Sequence, residues 1–546
     1  MLTSIKDECA IVGIGQTEIS KLSGRSELQL AAECVKTAIE DAGLKPTDID
    51  GMTGFTLDHV DEIEVARTVG IPELRMFSRM PHGGGAPMSL VQQAAMAVAT
   101  GMCKAVVGYR AMNGRSGARY SSGVAEGPET TDRISWGWYM PYGLLTPACW
   151  VAMHTMRYMH EYGATNEGMA EIAVTQRQFA SKNPIALYYG KTITMEEYFA
   201  SPYIVEPLRL YDCCVETDGG AAFVVTSTER AKDLPHKPAL IRGAAQGSAF
   251  DQEVMTSFYR ENITYLPEYD LVAKQCYAQS GLGPDDLDAA IIYDAFTSII
   301  LFQLESFGFC KRGEAHEWVK GGTLGLDGRL PCNTHGGLLS EGYVHGINGL
   351  AEAVRLIRGT AVTGATQEAK MSKVPKKKTK KTQPARRKGP SPRGTSKVAK
   401  QKPKKTGAAV ATPPAALRMR PVIGHDNQAW WDRINAGELP IQRCKQCGTL
   451  RHPPRPMCWK CQSLDWEHVA ASGKGIVYSY VVVHRPEIPG YTYPLVVAVV
   501  ELAEGTRIVS NLVGIDPKAV KIGMPVKVSI EDVDATLKLP LFRPAS

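Results

Sequence analysis

Hydrophobic and polar positions follow two different spacings along the first 360 residues of the chain. Residues 27–41 and 269–279 carry apolar residues three and four positions apart, which predicts amphipathic helices. Short apolar stretches at residues 10–14 and 105–107 predict buried strands. Because strands and helices alternate, we expect an α/β fold in this part of the chain.

This N-terminal unit contains a weak internal repeat. The sequence AGLKPTDID at residues 42–50 recurs as SGLGPDDLD at residues 280–288, each time after a helical pattern. The second copy runs into a β-rich stretch at residues 289–293. We therefore predict two similar βαβ halves over residues 1–360. Residues 113–210, rich in Met, Tyr and Trp, are expected to form an inserted loop subdomain that covers a site.

A second folded unit is expected over residues 417–546. Strand patterns such as residues 475–484 and 494–501, punctuated by Gly, Pro and Asp, are typical of an all-β barrel. Between the units, residues 361–416 include sixteen Lys or Arg and no Asp or Glu from Lys370 to Lys405. This segment cannot bury a core and is expected to be a disordered tether, with a tail that binds nucleic acid or a membrane surface as the alternative.

Length and composition limit the class of protein. At 546 residues the chain is too long to fold around a single hydrophobic core. Its net charge of +6 comes from the basic tether. No apolar run reaches the roughly 18 residues of a membrane helix, and the N-terminus lacks the features of a signal peptide. We expect a cytoplasmic protein whose thirteen cysteines are reduced.

Four cysteines form the most specific local motif. Cys444 and Cys447 make one Cys-x-x-Cys pair, and Cys458 and Cys461 make a second pair. Four thiolates can surround one Zn²⁺ tetrahedrally and leave no open position, so a structural zinc ribbon is predicted at about residues 440–465. Iron in a rubredoxin-like site and a redox dithiol are the alternatives. Nucleic-acid binding is disfavoured because the surrounding barrel is not basic.

Further motifs surround these cysteines in a fixed order. They include Trp430-Trp431, Gly437-Glu-Leu439, Pro453-Pro-Arg455, Ser472-Gly-Lys-Gly475 and Val477-Tyr-Ser-Tyr480. This order resembles the acyl-CoA-associated zinc-ribbon and OB-fold domain that accompanies thiolase-like proteins and hydratases. That domain is usually a separate polypeptide, and the resemblance implies that it is fused here to its partner.

The N-terminal unit carries motifs typical of thiolases. Asp218-Gly-Gly-Ala-Ala222 and Asn333-Thr-His-Gly-Gly337 resemble the Asp-Gly-Ala-Ala stretch and the Asn-Pro-Ser-Gly-Gly loop of sterol-carrier-type thiolases. The resemblance implies a thiolase fold over about 350 residues. It also implies a homodimer, and an OB-fold domain that closes the substrate tunnel or stabilises the surface of the enzyme.

The catalytic cysteine of a thiolase is missing. A thiolase needs this cysteine at a helix N-terminus, where the thiolate is favoured. The corresponding slot falls within Gly83, Gly84 and Gly85, and glycine cannot form an acyl-enzyme. The remaining thiols near thiolase motifs are interpreted as structural: Cys103, Cys213, Cys214 and Cys332.

Two tyrosines replace further catalytic residues of the thiolase family. Its His-Asp or Asn-Glu box becomes Tyr293-Asp-Ala-Phe-Thr297, and its Gly-His-Pro box becomes Gly342-Tyr343-Val344. Together with the lost cysteine and the OB-fold partner, this pattern resembles the thiolase-like aldolases of bacterial steroid side-chain degradation. The resemblance implies retro-aldol cleavage of a β-hydroxyacyl-CoA. A 17-hydroxy steroid with a propanoyl-CoA side chain would give a 17-ketosteroid and propionyl-CoA.

Retro-aldol chemistry suits these residues because it needs proton transfer but no acyl-enzyme. We assign Tyr293 and Tyr343 as the proton-transfer pair without fixing which is the base, with aromatic packing as the alternative. His335 and His345 could hold the enolate oxygen or depress the pKa of a phenol, or could be structural.

Weaker candidates complete the predicted site. His82 stands beside the glycine run, and the amides of Gly83, Gly84 and Gly85 could supply oxyanion donors at a helix N-terminus. Asp294 either orients Tyr293 or caps the next helix.

Three other functions compete with an aldolase acting on acyl-CoA. One is an acyltransferase or thiolase-type enzyme, which would have to use another thiol. Another is a carrier that binds acyl-CoA or lipid without turnover. The third is a nucleic-acid-binding protein that works through the basic tether, with binding that falls steeply as salt rises.

Overall fold

The computed structural model describes residues 4–56, 59–80, 86–117, 119–122, 137–253, 257–363 and 418–545. Nearly all of the predicted tether at residues 361–416 lies outside the described residues, and so do His82 and the three glycines that follow it. Within these described ranges, no helix is long and apolar enough to cross a membrane.

The helices occur throughout the N-terminal unit and once at the start of the C-terminal unit. In chain order they are α1 (Glu27–Asp41), α2 (Glu62–Val69), α3 (Ala86–Ala99), α4 (Pro147–Tyr162), α5 (Asn166–Lys182), α6 (Met195–Ala200), α7 (Thr228–Ala231), α8 (Pro267–Ser280), α9 (Thr297–Ser306), α10 (Ala315–Trp318), α11 (Gly337–Ser340), α12 (Ile347–Arg358) and α13 (Gln428–Asn435).

The strands divide between the two units. Those of the N-terminal unit are β1 (Cys9–Gln16), β2 (Gly51–Phe55), β3 (Met76–Met80), β4 (Ala105–Asn113), β5 (Tyr203–Glu206), β6 (Leu208–Arg209), β7 (Asp218–Ser227) and β8 (Ala239–Leu240). Those of the C-terminal unit are β9 (Pro440–Cys444), β10 (Leu450–Arg451), β11 (Trp466–Ala470), β12 (Lys474–Val483), β13 (Leu495–Leu502), β14 (Arg507–Asn511), β15 (Pro525–Asp534) and β16 (Leu537–Pro544).

A six-stranded mixed sheet organises the N-terminal unit, with strand order β3-β2-β4-β7-β1-β8. Strand β2 runs parallel to β3 and β4, whereas β7 runs antiparallel to both β4 and β1. Helix α1 packs very closely on β1: a Cβ on Gly13 or Gly15 would lie 2.1 Å from a carbonyl oxygen of that helix. Glycine is therefore required at both positions, and the expected α/β layering is present.

The second half carries less regular β-structure than its sequence predicts. The β-rich stretch at residues 289–293 makes an isolated parallel bridge, Ala290 with Cys332, and no strand is assigned to it. The Asn333 side chain explains the difference, because its amide accepts the N–H of Ile292 at 2.8 Å and donates to the carbonyl of Ile292 at 2.9 Å. The Asn333 side chain thus forms the hydrogen bonds that the backbone of a neighbouring strand would otherwise form.

The C-terminal unit is a ribbon followed by a barrel. Strands β10, β9 and β11 form the ribbon sheet, and β14-β13-β12-β15-β16 form the antiparallel main sheet. A parallel bridge between Leu512 and Phe542 joins the two ends of the main sheet. This bridge closes the sheet into the predicted all-β barrel.

The barrel is joined to the N-terminal unit by shared sheet and shared core. Strand β5 pairs antiparallel with β12, where Val482 lies opposite Glu206 and Val483 opposite Val205. Trp138 of the N-terminal unit stacks on Trp431 at 5.4 Å between ring centroids, and buried side chains of both units form one continuous apolar cluster. The barrel therefore packs as part of the same folded body.

Candidate active site and metal centre

The two tyrosines predicted to transfer protons are in contact. The hydroxyl oxygens of Tyr293 and Tyr343 lie 3.0 Å apart and share a hydrogen bond. Tyr293 is 6% exposed and Tyr343 is 7% exposed. Residues fifty positions apart are thus brought together in the interior of the protein, and their role as a proton-transfer pair stays a prediction.

The segment carrying Tyr293 is held from two sides. Asn333 binds both backbone groups of the preceding residue, Ile292, as described above. Gln303 of α9 donates a hydrogen bond from its amide to the carbonyl of Tyr293 at 2.6 Å. The direction of the Tyr293 side chain is therefore set by buried amides.

The segment carrying Tyr343 is fixed by Thr217, just before β7. The Thr217 hydroxyl accepts the N–H of Tyr343 at 2.9 Å and donates to its carbonyl at 3.2 Å. The preceding residue, Gly342, leaves no room for a side chain, because a Cβ there would lie 2.3 Å from Ile19. The loop between α11 and α12 thus presents Tyr343 in one conformation.

Asp294 connects the segments that carry the two tyrosines. Its carboxylate accepts the backbone N–H of Leu338 at 2.9 Å and of Leu339 at 3.3 Å, at the start of the short helix α11. Burial raises the pKa of Asp294 to about 7. The capping interpretation of Asp294 is therefore the one the structure supports, although the capped helix is the one leading to Tyr343 and not the next in sequence.

His345 lies beside the tyrosine pair. Its ring is 4.8 Å from the Tyr343 ring and 5.0 Å from the Phe55 ring, between centroids. Arg110 donates a hydrogen bond from Nε to His345 Nδ1 at 3.1 Å. Burial, and then the charge of Arg110, lower the pKa of His345 well below its ordinary value, so this imidazole is neutral at physiological pH.

His335 belongs to a different group of buried side chains. Its Nε2 lies 3.9 Å from a carboxylate oxygen of Glu341, and its carbonyl accepts a hydrogen bond from Asn183 at 2.9 Å. Burial lowers the pKa of His335 to about 4 and raises that of Glu341 to about 7. Glu352, also fully buried, accepts a hydrogen bond from Thr334. The role of His335 in holding an enolate oxygen stays a prediction.

Sequence reasoning missed Arg110, Glu341 and Glu352. Each is a charged residue inside an otherwise apolar stretch, which is the signal that could have singled them out. The partner of Arg110 lies far away in sequence, 235 positions later. Only the fold reveals which charge meets which group.

The proposed oxyanion donors lie outside the described residues, but the following helix reaches the site. Helix α3 begins at Ala86. A Cβ on Gly346 would lie 3.3 Å from Tyr293 and 3.7 Å from the methyl of Met88. Met88, in the first turn of α3, and Tyr293 therefore both lie close to Gly346.

The thiols interpreted as structural all have raised pKa values; Cys103 and Cys332 are buried, and Cys213 and Cys214 are half-buried. Burial raises the pKa of Cys103 to about 11. Burial also raises the pKa values of Cys213, Cys214 and Cys332 above the ordinary value. A nucleophilic cysteine needs the opposite shift, because the thiolate is the reactive form.

The four cysteines of the ribbon converge on one point. The Sγ atoms of Cys444, Cys447, Cys458 and Cys461 all lie within 4.8 Å of one another. Cys444 and Cys461 are 3.5 Å apart, and Cys447 and Cys458 are 3.6 Å apart. Four thiolates at about 2.3 Å from a central zinc would stand about 3.8 Å from each other, so these positions fit a tetrahedral metal ion.

Family models match four consecutive parts of the chain, and together they define its class. The matches are to "Thiolase, N-terminal domain" at residues 9–229 and "Thiolase C-terminal domain-like" at residues 248–376. Two more are "ChsH2, rubredoxin-like zinc ribbon domain" at residues 431–467 and "ChsH2, C-terminal OB-fold domain" at residues 468–531. The chain is a thiolase-fold protein that carries a zinc ribbon and an OB-fold.

Individual relatives narrow this class. The chain is 59% identical over 355 residues to the steroid side-chain-cleaving aldolase of Thermomonospora curvata, covering 65% of this chain and 91% of the relative. It is 52% identical over 360 residues to the 17-hydroxy-3-oxo-4-pregnene-20-carboxyl-CoA lyase of Mycobacterium tuberculosis, covering 66% of this chain and 93% of the relative. The solved Ltp2-ChsH2(DUF35) aldolase is 57% identical, with a TM-score of 0.64, covering 66% of this chain and 93% of that chain.

The chain therefore belongs to the family of thiolase-fold, side-chain-cleaving aldolases, which are carbon–carbon lyases. The thiolase fold, the fused zinc-ribbon and OB-fold domain and the aldolase class predicted from the sequence are confirmed.

Proposed function

We propose that this protein cleaves the side chain of a 17-hydroxy steroid propanoyl-CoA by a retro-aldol reaction, giving a 17-ketosteroid and propionyl-CoA. The names of the two aldolase and lyase relatives support the substrate class. The observation that carries the reaction is the buried hydrogen bond of 3.0 Å between the hydroxyls of Tyr293 and Tyr343.

The reaction has two proton transfers. One tyrosine, as its phenolate, removes the proton of the tertiary hydroxyl while the bond between Cα and Cβ breaks and the ketone forms. The bonding electrons pass to the thioester as an enolate, which hydrogen-bond donors stabilise. The other tyrosine then gives its proton to the α-carbon and releases propionyl-CoA.

The hydrogen bond between the two phenols lets both tyrosines return to their starting protonation states after each turnover. After one turnover the base has gained a proton and the acid has lost one. A proton passed across the 3.0 Å hydrogen bond restores both starting states without a change in the total number of protons. The same bond stabilises the phenolate, because the neighbouring hydroxyl donates to it.

An acyl-enzyme mechanism is disfavoured by the state of the thiols. Cys332 is buried and Cys214 is half-buried, and both thiols have raised pKa values. Retro-aldol cleavage needs no covalent intermediate, so the glycines in the nucleophile slot are compatible with it. The acyltransferase function is therefore a weaker alternative, and the product analysis below tests the carrier function.

The zinc ribbon is proposed to hold one structural Zn²⁺. Cys444, Cys447, Cys458 and Cys461 would all be ligands, so no position remains for substrate or water. The ion would cross-link two turns of a small domain that has little core of its own.

The functional unit is proposed to be a homodimer. Strand β3 is at the edge of the six-stranded sheet, its residues are partly exposed, and Phe77 is 58% exposed. An edge strand with an exposed aromatic residue is suited to pairing with a second copy. Light scattering after size-exclusion chromatography is expected to give twice the chain mass of 59.4 kDa, whereas a monomer at working concentration would contradict this assembly.

Product analysis tests the proposed reaction. The purified protein is incubated with the 17-hydroxy steroid thioester in the absence of free CoA, and products are identified by mass spectrometry. Ketone and propionyl-CoA in equal amounts are expected. Stoichiometric binding without cleavage would instead support the carrier alternative, and absence of binding would contradict the acyl-CoA assignment.

A further inference from the structure

We propose that Arg110 is a positioning residue that fixes His345 as the neutral tautomer with its proton on Nε2, so that this imidazole acts as a fixed hydrogen-bond donor. The use of that donor in catalysis rests on the proposed aldolase function. The tautomer itself is a property of the folded chain and can be measured without substrate.

The hydrogen-bond chemistry of the pair determines the tautomer. Arg110 on β4 is 2% exposed, and its Nε–H donates to His345 Nδ1 at 3.1 Å. A guanidinium group has donors and no acceptor, and it stays charged in proteins. His345 Nδ1 must therefore accept, which leaves the single proton of a neutral imidazole on Nε2.

The position of both side chains is fixed by their surroundings. Another Arg110 nitrogen, Nη1, donates to the carbonyl of Ala111 at 3.0 Å, and its guanidinium lies 5.4 Å from the centre of the Phe55 ring. The His345 ring contacts the rings of both Phe55 and Tyr343. His345 also has a φ of +51°, in the left-handed region that residues with side chains rarely adopt. Such backbone strain persists where surrounding contacts enforce it.

Among the described residues, the charged or titratable groups that face this imidazole are Arg110 from β4 and Tyr343 from its own segment, with Tyr293 bonded to Tyr343. A neighbouring positive charge in a buried site opposes a second proton on the ring. A neutral imidazole can hold a developing enolate oxygen without giving its proton away. The tyrosines then remain the groups that transfer protons.

Nuclear magnetic resonance of the full-length protein, labelled with ¹⁵N-histidine, tests the tautomer. The His345 signals are assigned by their loss in His345→Gln, and the shifts of the two ring nitrogens show which one carries the proton. The expected result is one neutral form with Nε2 protonated, unchanged between pH 6 and 8. A proton on Nδ1, or a doubly protonated ring in this pH range, would overturn the proposal.

Variants of Arg110 test its role. In Arg110→Met, the ring nitrogens of His345 are expected to show a mixture of tautomers. The kcat for the steroid thioester should fall about 10²-fold, the cost of losing one oriented oxyanion donor, with little change in KM. Arg110→Lys keeps a cationic donor and should recover part of both properties. Arg451→Met removes a buried arginine of the ribbon and serves as the control for loss of a buried guanidinium.

The outcomes separate this inference from the proposed function. Unchanged His345 shifts and unchanged kcat in Arg110→Met would overturn the role of Arg110. If Arg110→Met does not fold, the wild-type tautomer and Arg110→Lys still decide the question. A fixed Nε2–H tautomer in a protein that cleaves no steroid thioester would instead contradict the proposed function and leave the tautomer assignment standing.

Discussion

The hydroxyl groups of Tyr293 and Tyr343 depend on each other. They share a hydrogen bond of 3.0 Å and both residues are almost completely buried, so removing one oxygen leaves the other without this partner. A base and an acid that exchange protons directly act as one unit, and their contributions to the rate should not add.

Replacing either tyrosine by phenylalanine is expected to lower kcat by about 10²-fold or more, the usual size of a general acid–base contribution. The double variant should be little slower than the slower single variant. Tyr158→Phe is a matched control, because Tyr158 is also buried and bonded through its hydroxyl, in its case to Glu305. Steady-state rates near wild type for both single variants would contradict the assignment of the pair.

His335 makes a prediction about stability and pH. Its folded pKa of about 4 lies below its ordinary value of 6.5, because the charged form is disfavoured by burial. Below pH 6.5, His335 therefore binds a proton in the unfolded chain, whereas in the folded chain it stays neutral until the pH is near 4. The contribution of His335 to stability is fully present above pH 6.5 and is lost as the pH falls towards 4.

The variant His335→Gln isolates this effect. The free energy of unfolding of the wild type, minus that of the variant, should fall by about 3 kcal/mol between pH 6.5 and pH 4. Asp294 has a raised pKa and opposes the trend, but it is present in both proteins and cancels in the difference. Denaturant unfolding at several pH values gives the result, and parallel pH curves would contradict a neutral buried His335.

At the residue scale, the sequence predicts the tyrosine pair because substitutions in two family boxes can be recognised along the chain. It does not predict Arg110 or the grouping of His335 with Glu341. The contact of Arg110 depends on how β4 meets the loop after α11, and no local pattern encodes a partner 235 positions away. His335 and Glu341 stand on either side of α11, and their contact depends on how that short helix folds.

The short helix α11 links the two halves of the site. It begins at Gly337, where φ is +61° and a Cβ would lie 2.0 Å from an Asp294 carboxylate oxygen. Asp294 in turn caps this helix through Leu338 and Leu339. The helix therefore cannot form in this position unless residue 337 lacks a side chain.

Two glycine variants separate the clash from the backbone cost. Gly321→Ala changes an exposed glycine with φ +68° and nothing within 4 Å, so it should cost only about 1 kcal/mol. Gly337→Ala adds displacement of the buried Asp294 carboxylate and should cost about 3 kcal/mol or more, with a lower kcat. Thermal and denaturant unfolding measure both. Equal costs would show that the contact between residue 337 and Asp294 does not matter.

At the element scale, the helices of the N-terminal unit and the strands of the barrel follow the hydrophobic pattern closely. The stretch at residues 289–293 does not, because its β-rich composition predicts a strand whereas the structure shows one isolated bridge. The side chain of Asn333 forms hydrogen bonds with both backbone groups of Ile292, in place of a neighbouring strand. Local β-propensity carries no sign of such a long-range contact.

The two units of the molecule meet across polar contacts as well as apolar ones. Tyr478 of the barrel lies between the guanidinium groups of Arg157 and Arg507, at 4.2 Å and 3.4 Å from its ring centre. At the ribbon, Trp459 packs on Phe250 with 4.9 Å between ring centroids. The zinc ribbon therefore packs against a loop of the N-terminal unit.

Removing the metal is expected to destabilise the molecule. Elemental analysis should find one zinc per chain, and a chelator should lower the melting temperature because the two cysteine pairs are no longer cross-linked. Without chelator, Cys447→Ser should already have the lower melting temperature of the metal-free wild type, and chelator should change it little. A metal-free protein that melts at the same temperature as the loaded one would contradict a structural role.

At the scale of the whole molecule, the sequence predicts the order of the domains and their resemblances. It does not predict that β5 of the N-terminal unit extends the barrel sheet beside β12, or that Trp138 stacks on Trp431. Docking between units depends on the surfaces of both, and those surfaces exist only after each has folded.

The central claim is that carbon–carbon cleavage proceeds by retro-aldol chemistry between two tyrosines, without transfer of an acyl group to a new thiol. The most direct test is cleavage of the steroid thioester in the presence of excess isotope-labelled free CoA. Propionyl-CoA that carries only the original, unlabelled CoA, in equal amount to the ketone, is the expected result. Thiolysis would also leave the original CoA on the propionyl product, but it would place the labelled CoA on the steroid fragment. A labelled thioester of the steroid fragment in place of the free ketone would therefore show thiolytic transfer and contradict the account.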